Sequence, residues 1–461
     1  MSLFTALYTG RSGIEANSAD LSVIGDNIAN ANTVGFKASR SDFEEQLSES
    51  LLGAGGIGLG TNMQRVQQIV TQGSLTTTGN ATDLALQGNG MFIVAGAANG
   101  QQGQFYTRNG EFSLNKDGFL VNQDGLRVQG YTADATGGIE TQLGDLNLAT
   151  TVAAPQATSN ISIKANLDST ASVPTTSPFD PTSSATASAS SNFNTSTTIY
   201  DSLGSAHQAT VYFSKSGAGA WSWNAVADGA GITGGVAGTP TVIGTGTLTF
   251  DASGNLTAET QSSTFSPIGA TQPQALNFNF GTGTAAGGTG TDGITQYASS
   301  AAKGQGSAAT FASQDGWAQG TLTGVHIGTD GTVEGTFSNG QTKAVGQVAV
   351  ANFQAPDRLQ RMGGNLYMAT PNDIRAGALG AASNGAGVNG FQTVTGSGDA
   401  VIGVAGTGGR GSITSGSLEQ SNVDITNQFV GMITAQRDFE ANSKTVTTAD
   451  QMLSDLIQMK R

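Results

Sequence analysis

The chain contains no cysteine, only two histidines (His207 and His326), nine prolines and three tryptophans in 461 residues. The missing cysteines exclude disulfides, thiolate zinc sites and cysteine nucleophiles together. Two histidines far apart in the chain leave no material for a multi-histidine metal site, and neither sits beside a recognisable nucleophile elbow. Charge is scarce too: Asp, Glu, Lys and Arg make up 11% of the chain, against roughly 25% in an ordinary soluble protein. What charge there is leans acidic, 19 basic against 33 acidic residues for a net charge of −14. Nucleic acid is therefore not an expected partner, because phosphate binding needs clustered Lys and Arg. No apolar run approaches the ~18 residues of a membrane span, so no membrane insertion is expected. The first twenty residues also lack a basic segment followed by an apolar core, so a cleavable secretory signal is not expected. An enzyme would have few tools here, and no cofactor, metal or catalytic residue is assigned.

Glycine is what the chain has in excess, 67 residues, roughly twice the usual share of about 7%. That abundance disarms one motif. G-x-G-x-x-G occurs at Gly53, Gly55, Gly58 and at Gly406, Gly408, Gly411, but about one or two matches are expected by chance and neither lies between a strand and a helix. The tetrads Asn115–Gly118 and Asn122–Gly125 carry oxygens that suit calcium, yet no EF-hand spacing surrounds them, and they read as consecutive hairpin turns. Asp201 and Asp251 likewise read as turn formers. Trp221, Trp223 and Trp317 read as β-core residues.

The two ends differ from everything between them. Leu3, Leu7, Gly10, Ile14, Asn17, Leu21, Ile24, Ile28 and Ala31 follow alternating steps of four and three, and seven of the nine are apolar. Ile425, Phe429, Met432, Gln436, Phe439, Ser443, Val446, Asp450, Leu453 and Ile457 repeat the rhythm at the other end. Both are helical seams of coiled-coil type, and each helix would extend about 45–55 Å at 1.5 Å per residue. About six large apolar anchors on the first helix, worth roughly 1.5–3 kcal/mol each when buried, face an ordering cost of about 1–2 kcal/mol for each of some thirty residues. Residues 1–35 carry only four charged side chains, Arg11, Glu15, Asp20 and Asp26, fewer than a solvated helix face normally shows. Such helices are suited to being surrounded.

Helix signals stop near Asn30–Gly35, and a mixed stretch, 36–75, contains the glycine-dense run 53–60. Short strands punctuated by Asn-Gly and Asp-Gly follow from about residue 80, with Asn89-Gly90, Asn109-Gly110, Asp117-Gly118 and Asp124-Gly125 as turns. Strands are expected at 205–215, 221–226, 246–250 and 275–280, then again over 318–370, before a glycine-rich connector and the last helix. The expected fold is mainly β with long N- and C-terminal α-helices. Its nested, out-and-back organisation has a terminal helical coiled-coil region of 1–33 and 422–461 and connectors of 34–75 and 375–421. A β domain of 76–145 and 313–374 and an inserted outer β domain of 146–312 complete it.

Residues 24–37, IGDNIANANTVGFK, resemble the N-terminal signature of the bacterial flagellar rod and hook axial proteins, and 416–461 resemble the matching C-terminal signature. Asn422, Val423, Asp424, Gln436, Arg437, Phe439, Asn442 and Ser443 stand at the signature positions. Asp438 departs from the pattern, since the family usually has a small apolar residue there. Residues 106–131 resemble the family's shared β domain, and 198–213 and 346–367 look like its hook members. The resemblance implies a structural subunit that self-polymerises into the curved, flexible hook linking rod to filament. It implies a homopolymer as chief partner, with the distal rod, hook cap and hook–filament junction proteins and the type III export apparatus as others, in an extracellular setting. The self-assembly residues would be Leu3, Leu7, Ile14, Leu21, Ile24, Asn27, Ile28, Asn30, Asn32, Gly35 and Phe36 at one end. Asn422, Ile425, Phe429, Met432, Gln436, Arg437, Phe439, Asn442, Val446, Leu453 and Ile457 would serve at the other. A distal rod or junction protein of the same family, and a secreted β-rich adhesin of another class, are the alternatives.

Overall fold

The computed structural model describes residues 3–47, 58–134, 137–148, 152–298, 306–370 and 396–459. Most of the glycine-dense run at 53–60 and the connector residues 375–395 lie outside that set. The chain divides into two compact units, one of Met1–Thr151, Leu322–Thr336 and Thr342–Arg461, the other of Val152–Thr321 and Phe337–Gln341.

The first unit begins with α1 (Leu3–Ala29), which ends in turns over 30–35 where Gly35 takes φ +70°. Glycine takes that left-handed turn without a Cβ penalty. An antiparallel ribbon follows, β1 (Ser39–Leu47) with β2 (Gly58–Gln68), paired from Ser39 opposite Gln68 to Leu47 opposite Gly58. Short strands come next: β3 (Leu75–Thr77), β4 (Leu84–Gln87), β5 (Met91–Ala98), β6 (Gln101–Thr107), β7 (Ser113–Leu114), β8 (Leu120–Val121), β9 (Arg127–Ala133) and β10 (Ile139–Asp145). The turns at Asp117-Gly118 and Asp124-Gly125 join β7 to β8 and β8 to β9. Asn115 Oδ1 accepts from the amides of Asp117 and Phe119, and Asn122 Oδ1 from those of Asp124 and Leu126. The tetrad oxygens are thus engaged in holding hairpins.

The second unit contains β11 (Asn160–Asn166), the one-and-a-half-turn α2 (Ser184–Ala189), and a five-strand meander: β12 (Phe193–Tyr200), β13 (Ala206–Gly217), β14 (Ala220–Asp228), β15 (Pro240–Phe250) and β16 (Leu256–Ser263). β17 (Asn277–Asn279), β11 and β18 (Ala308–Gln314) form a second, three-stranded sheet. Side chains of both sheets share one core. Alternation along β14 turns Trp221, Trp223 and Ala225 inward, where Trp223 packs on Phe278 (4.9 Å between ring centroids) and Phe280 (5.0 Å). Trp317 differs from the core role its composition suggested: it is half-buried, its indole N–H donating to the Ala154 carbonyl.

The chain then returns to the first unit as β19 (Leu322–Ile327), β20 (Thr332–Phe337), β21 (Thr342–Asn352), β22 (Gln360–Gly363), β23 (Leu366–Met368), β24 (Val401–Val404), β25 (Ser412–Ser415), β26 (Ser417–Glu419) and α3 (Ile425–Met459). Outgoing and returning strands interleave. β21 pairs with β9, β5 and β24, β23 with β6, β25 with β4, and β26 with β3. Met91, Ile93, Tyr106, Ala351, Phe353 and Tyr367 form the core beneath this sheet. The fold is thus mainly β, with a long helix near each end of the chain.

Candidate assembly interface

α1 and α3 pack side by side and antiparallel, through small residues. A Cβ on Gly10 would lie 2.7 Å from Val446 Cγ2, one on Gly13 2.6 Å from Asn442 Nδ2, and one on Gly431 3.4 Å from Ile24 Cδ1. Ala16, Ile24, Ala435 and Ala449 are buried along the same line. Asn27 Nδ2 donates to Gln428 Oε1 at 3.1 Å and to the Ser39 carbonyl at 2.7 Å, while its Oδ1 accepts from the Ser39 amide. The ribbon rests on α1 as well. Gly60, at φ +106°, brings its backbone against Ser12, whose hydroxyl accepts from the Thr61 amide.

The residues read from the sequence fall into two groups. Ile24, Asn27, Gly35 and Phe36 are buried, and Leu7, Ile14, Leu21, Ile28, Asn30, Asn422, Met432, Asn442, Val446 and Leu453 are partly so. Asn32, Ile425, Phe429, Gln436, Arg437, Phe439 and Ile457 are exposed. The side chain of Leu3 lies outside the described set. The face of α3 turned to α1 therefore runs Gly431, Ala435, Asn442, Val446, Ala449 and Leu453, out of phase with the large apolar stripe over the first half of the helix. Ile425 (45% exposed), Phe429 (49%) and Ile433 (51%) stand one turn apart on a face that no element among the described residues covers.

Where the helices leave the β body, the polar junction is dense. Lys37 Nζ lies 2.6 Å from Glu419 Oε1 and donates to the Thr71 carbonyl at 2.7 Å. Arg108 Nη1 lies 3.0 Å from Glu419 Oε2, and its Nη2 donates to the Gly88 carbonyl at 2.6 Å. The Gly73 amide donates to Glu419 Oε1, and the Gly35 amide to the Glu419 carbonyl. All three charged side chains are at most 2% exposed. Burial pushes the Lys37 amine down from its ordinary value, and the Glu419 carboxylate beside it only partly opposes that. Asn422 completes the junction, its Oδ1 accepting from Ala38 and its Nδ2 donating to the carbonyls of Ile69 and Thr71. Asp424 Oδ1 accepts from the amides of Thr426 and Asn427, capping α3. The sequence reading did not single out Lys37, Arg108 or Glu419 as functional residues. Each lies in a block quoted for the family resemblance, and that placement was the available signal.

Among the described residues no group of three His, Asp or Glu gathers as a metal site. His207 Nε2 lies 3.2 Å from Asp201 Oδ2, a carboxylate also engaged by the Leu203 and Ser205 amides of a turn. Among the described residues no helix is long and apolar enough to cross a membrane.

Comparison with known proteins gives the arrangement its class. Residues 7–37 match the family described as flagella basal body rod protein, and 414–459 the flagellar basal body rod FlgEFG protein C-terminal family. Residues 85–166 match the flagellar hook protein FlgE/F/G D1 domain, and 166–317 the flagellar basal body protein FlaE D2 domain. The helix-ended β chain is thus a structural component of the bacterial flagellum. It is 33% identical to the flagellar hook protein FlgE of Escherichia coli (strain K12), over 97% of this chain and 98% of that one. It is 33% identical to that of Salmonella typhimurium over 97% and 98%. The crystal structure of Helicobacter pylori flagellar hook protein FlgE2 aligns over 63% of this chain and 93% of that one, with 15% identity and a TM-score of 0.38. The chain belongs to the flagellar hook protein family.

Proposed function

We propose that copies of this chain polymerise through their terminal helices into the curved, flexible tube that joins flagellar rod to filament outside the cell, with no catalytic role. The single observation that carries this is the uncovered apolar face of α3. Covering the exposed half of Phe429 alone removes on the order of 100 Å² from water, about 2.5 kcal/mol, and Ile425, Val430 and Ile433 add to the same surface. A second copy supplies that cover repeatedly when contacts are head-to-tail and do not close on themselves.

In this reading residues 1–33 and 422–461 form the inner wall, 34–75 and 375–421 connect, 76–145 and 313–374 form a middle shell, and 146–312 form the outermost one. The distal rod, hook cap and hook–filament junction proteins are the end partners, and the type III export apparatus delivers the subunit. Replacing Phe429 by Asp tests it. The isolated chain should keep its circular dichroism and melting behaviour, because Phe429 is already half in water, while tube formation seen by electron microscopy is lost. Tubes of normal length and yield from Phe429→Asp would refute the assignment of this face.

A further inference from the structure

The Lys37–Glu419–Arg108 cluster does more than the pairing of its charges requires. It joins four segments remote in sequence: the exit from α1, the stretch before β3, the loop after β6, and β26 just before α3. The cluster also has an excess of one positive charge, and Arg108 Nε is buried without a protein partner. Replacing such a cluster by apolar side chains is often neutral or stabilising, so its worth lies in what it fixes rather than in net energy. The contact between the helices, by contrast, sets Gly10, Gly13, Ala16, Gly431, Ala435 and Ala449 among a few larger side chains, which allows close approach, and Asn27 to Gln428 is the directional bond named across it.

We infer that Glu419 is the positioning residue for the terminal helices: by gripping Lys37 and Arg108 at once, it sets the angle at which α1 and α3 leave the β body. Leverage makes that angle matter. α1 has 27 residues, about 40 Å at 1.5 Å per residue, so a tilt of about 10° at its base moves its far end about 7 Å. A displacement of that size exceeds what close-packed side chains tolerate. The cluster also cannot complete itself early. Lys37 and Arg108 remain without their counter-charge until the segment containing Glu419 has joined the fold, so the helix pair is set only in a finished chain.

This inference rests on the polymer reading for its consequence but not for its test. Absence of native cysteine allows spin labels at Tyr8→Cys towards the far end of α1 and Ser113→Cys on the β body, both exposed and both within the first unit. In the full-length chain the label-to-label distance distribution should be narrow, and Glu419→Gln should broaden or shift it by several ångström. Amide protection in β5, β9 and β21 should persist in that variant. The concentration needed to form tubes should rise about tenfold or more, as loss of a buried charge partner at a required geometry implies. The double variant Lys37→Met with Glu419→Gln, which leaves one buried cation instead of two, should narrow the distribution again in part. A broad distribution in the parent chain, an unchanged one in Glu419→Gln, or loss of amide protection throughout the β body each overturns the positioning role. Narrowing in the parent and broadening in the variant, with no tubes from either, leaves the role standing and removes the polymer reading instead.

Discussion

Three glycines on one helix should respond to the same substitution in opposite ways. Gly25 of α1 has nothing within 4 Å of the position its Cβ would take, whereas a Cβ on Gly10 would sit 2.7 Å from Val446 Cγ2. Alanine in a helix interior is favoured over glycine by about 1 kcal/mol, so Gly25→Ala should stabilise α1 by about that amount. At Gly10 the same gain meets an overlap of about 1 Å relative to a comfortable carbon–carbon contact of about 3.5–4.0 Å. Val446 is β-branched and held to one rotamer in its helix, so it cannot swing away. Overpacking of this kind costs about 1–3 kcal/mol, which leaves Gly10→Ala between about neutral and 2 kcal/mol destabilised. The two variants should therefore differ by about 1–3 kcal/mol, a factor of about 5 to 150 in the equilibrium for opening α1. Hydrogen exchange of α1 amides in the dilute chain reads that factor directly. Gly13→Ala, whose Cβ meets Asn442, should behave like Gly10→Ala. Equal protection of α1 in Gly10→Ala and Gly25→Ala would show that α3 does not lie against Gly10, and the helix-pair geometry would fall with it.

Two further outcomes concern the second unit, which holds all three tryptophans and so reports on itself by fluorescence. Trp223→Ala removes a fully buried ring packed on Phe278 and Phe280. It should cost about 3–5 kcal/mol in urea unfolding followed through Trp221 and Trp317, and a loss under 1 kcal/mol would mean that the two sheets do not share this core. Acid should weaken the unit as well. Burial alone would raise the carboxyls of Asp201 and Asp315. Hydrogen bonds from Ser205, His207 and Leu203 to the one, and from Asn160 and Ser159 to the other, outweigh it and hold both below the usual carboxylate value. A carboxyl depressed in the fold contributes stability above its unfolded value of about 3.9 and loses it as pH falls through its folded value. Urea midpoints should thus fall below about pH 4, and Asp315→Asn should flatten that fall; an unchanged slope in the variant would exclude Asp315 as a contributor.

What the sequence made legible, and what it did not, follows from the range of the forces involved. The helices announce themselves through steps of three and four, and the β body through turn chemistry: Asn115 and Asn122 bond to amides two and four residues ahead. Such contacts are local. The β1–β2 ribbon, in contrast, lies where the sequence looked merely mixed, because SRSDFEEQL and GLGTNMQRVQQ are polar and poor in β-branched residues. Its placement depends on Gly60 meeting Ser12, a fit invisible without the fold. The charged junction was hidden for the same reason: Glu419 finds Lys37 382 positions away and Arg108 311 positions away. No pattern within a window of sequence encodes a pairing of that span.

The phase of the helical stripe has a sharper explanation. A search for large apolar residues at helical spacing finds Ile425, Phe429, Met432 and Phe439, whereas the chain buries Ala435 and Ala449 on the side of α1 and sets Gly431 3.4 Å (from its would-be Cβ) from Ile24. Both observations hold if α3 has two packing faces with different requirements. A face that meets a helix of the same chain at close range needs small residues, because every added methylene pushes the axes apart. The other face keeps its large side chains, and in a lone chain these remain in water: Phe429 is 49% exposed and Ile433 51%. A helix that served only its own chain would place those volumes inward and put Lys or Glu outward. On the assembly reading the order is reversed for a physical reason: the contact with α1 is made once and held in place by the junction at Glu419. The contact with further copies has no covalent tether, so the larger apolar area belongs on the face that must recruit them.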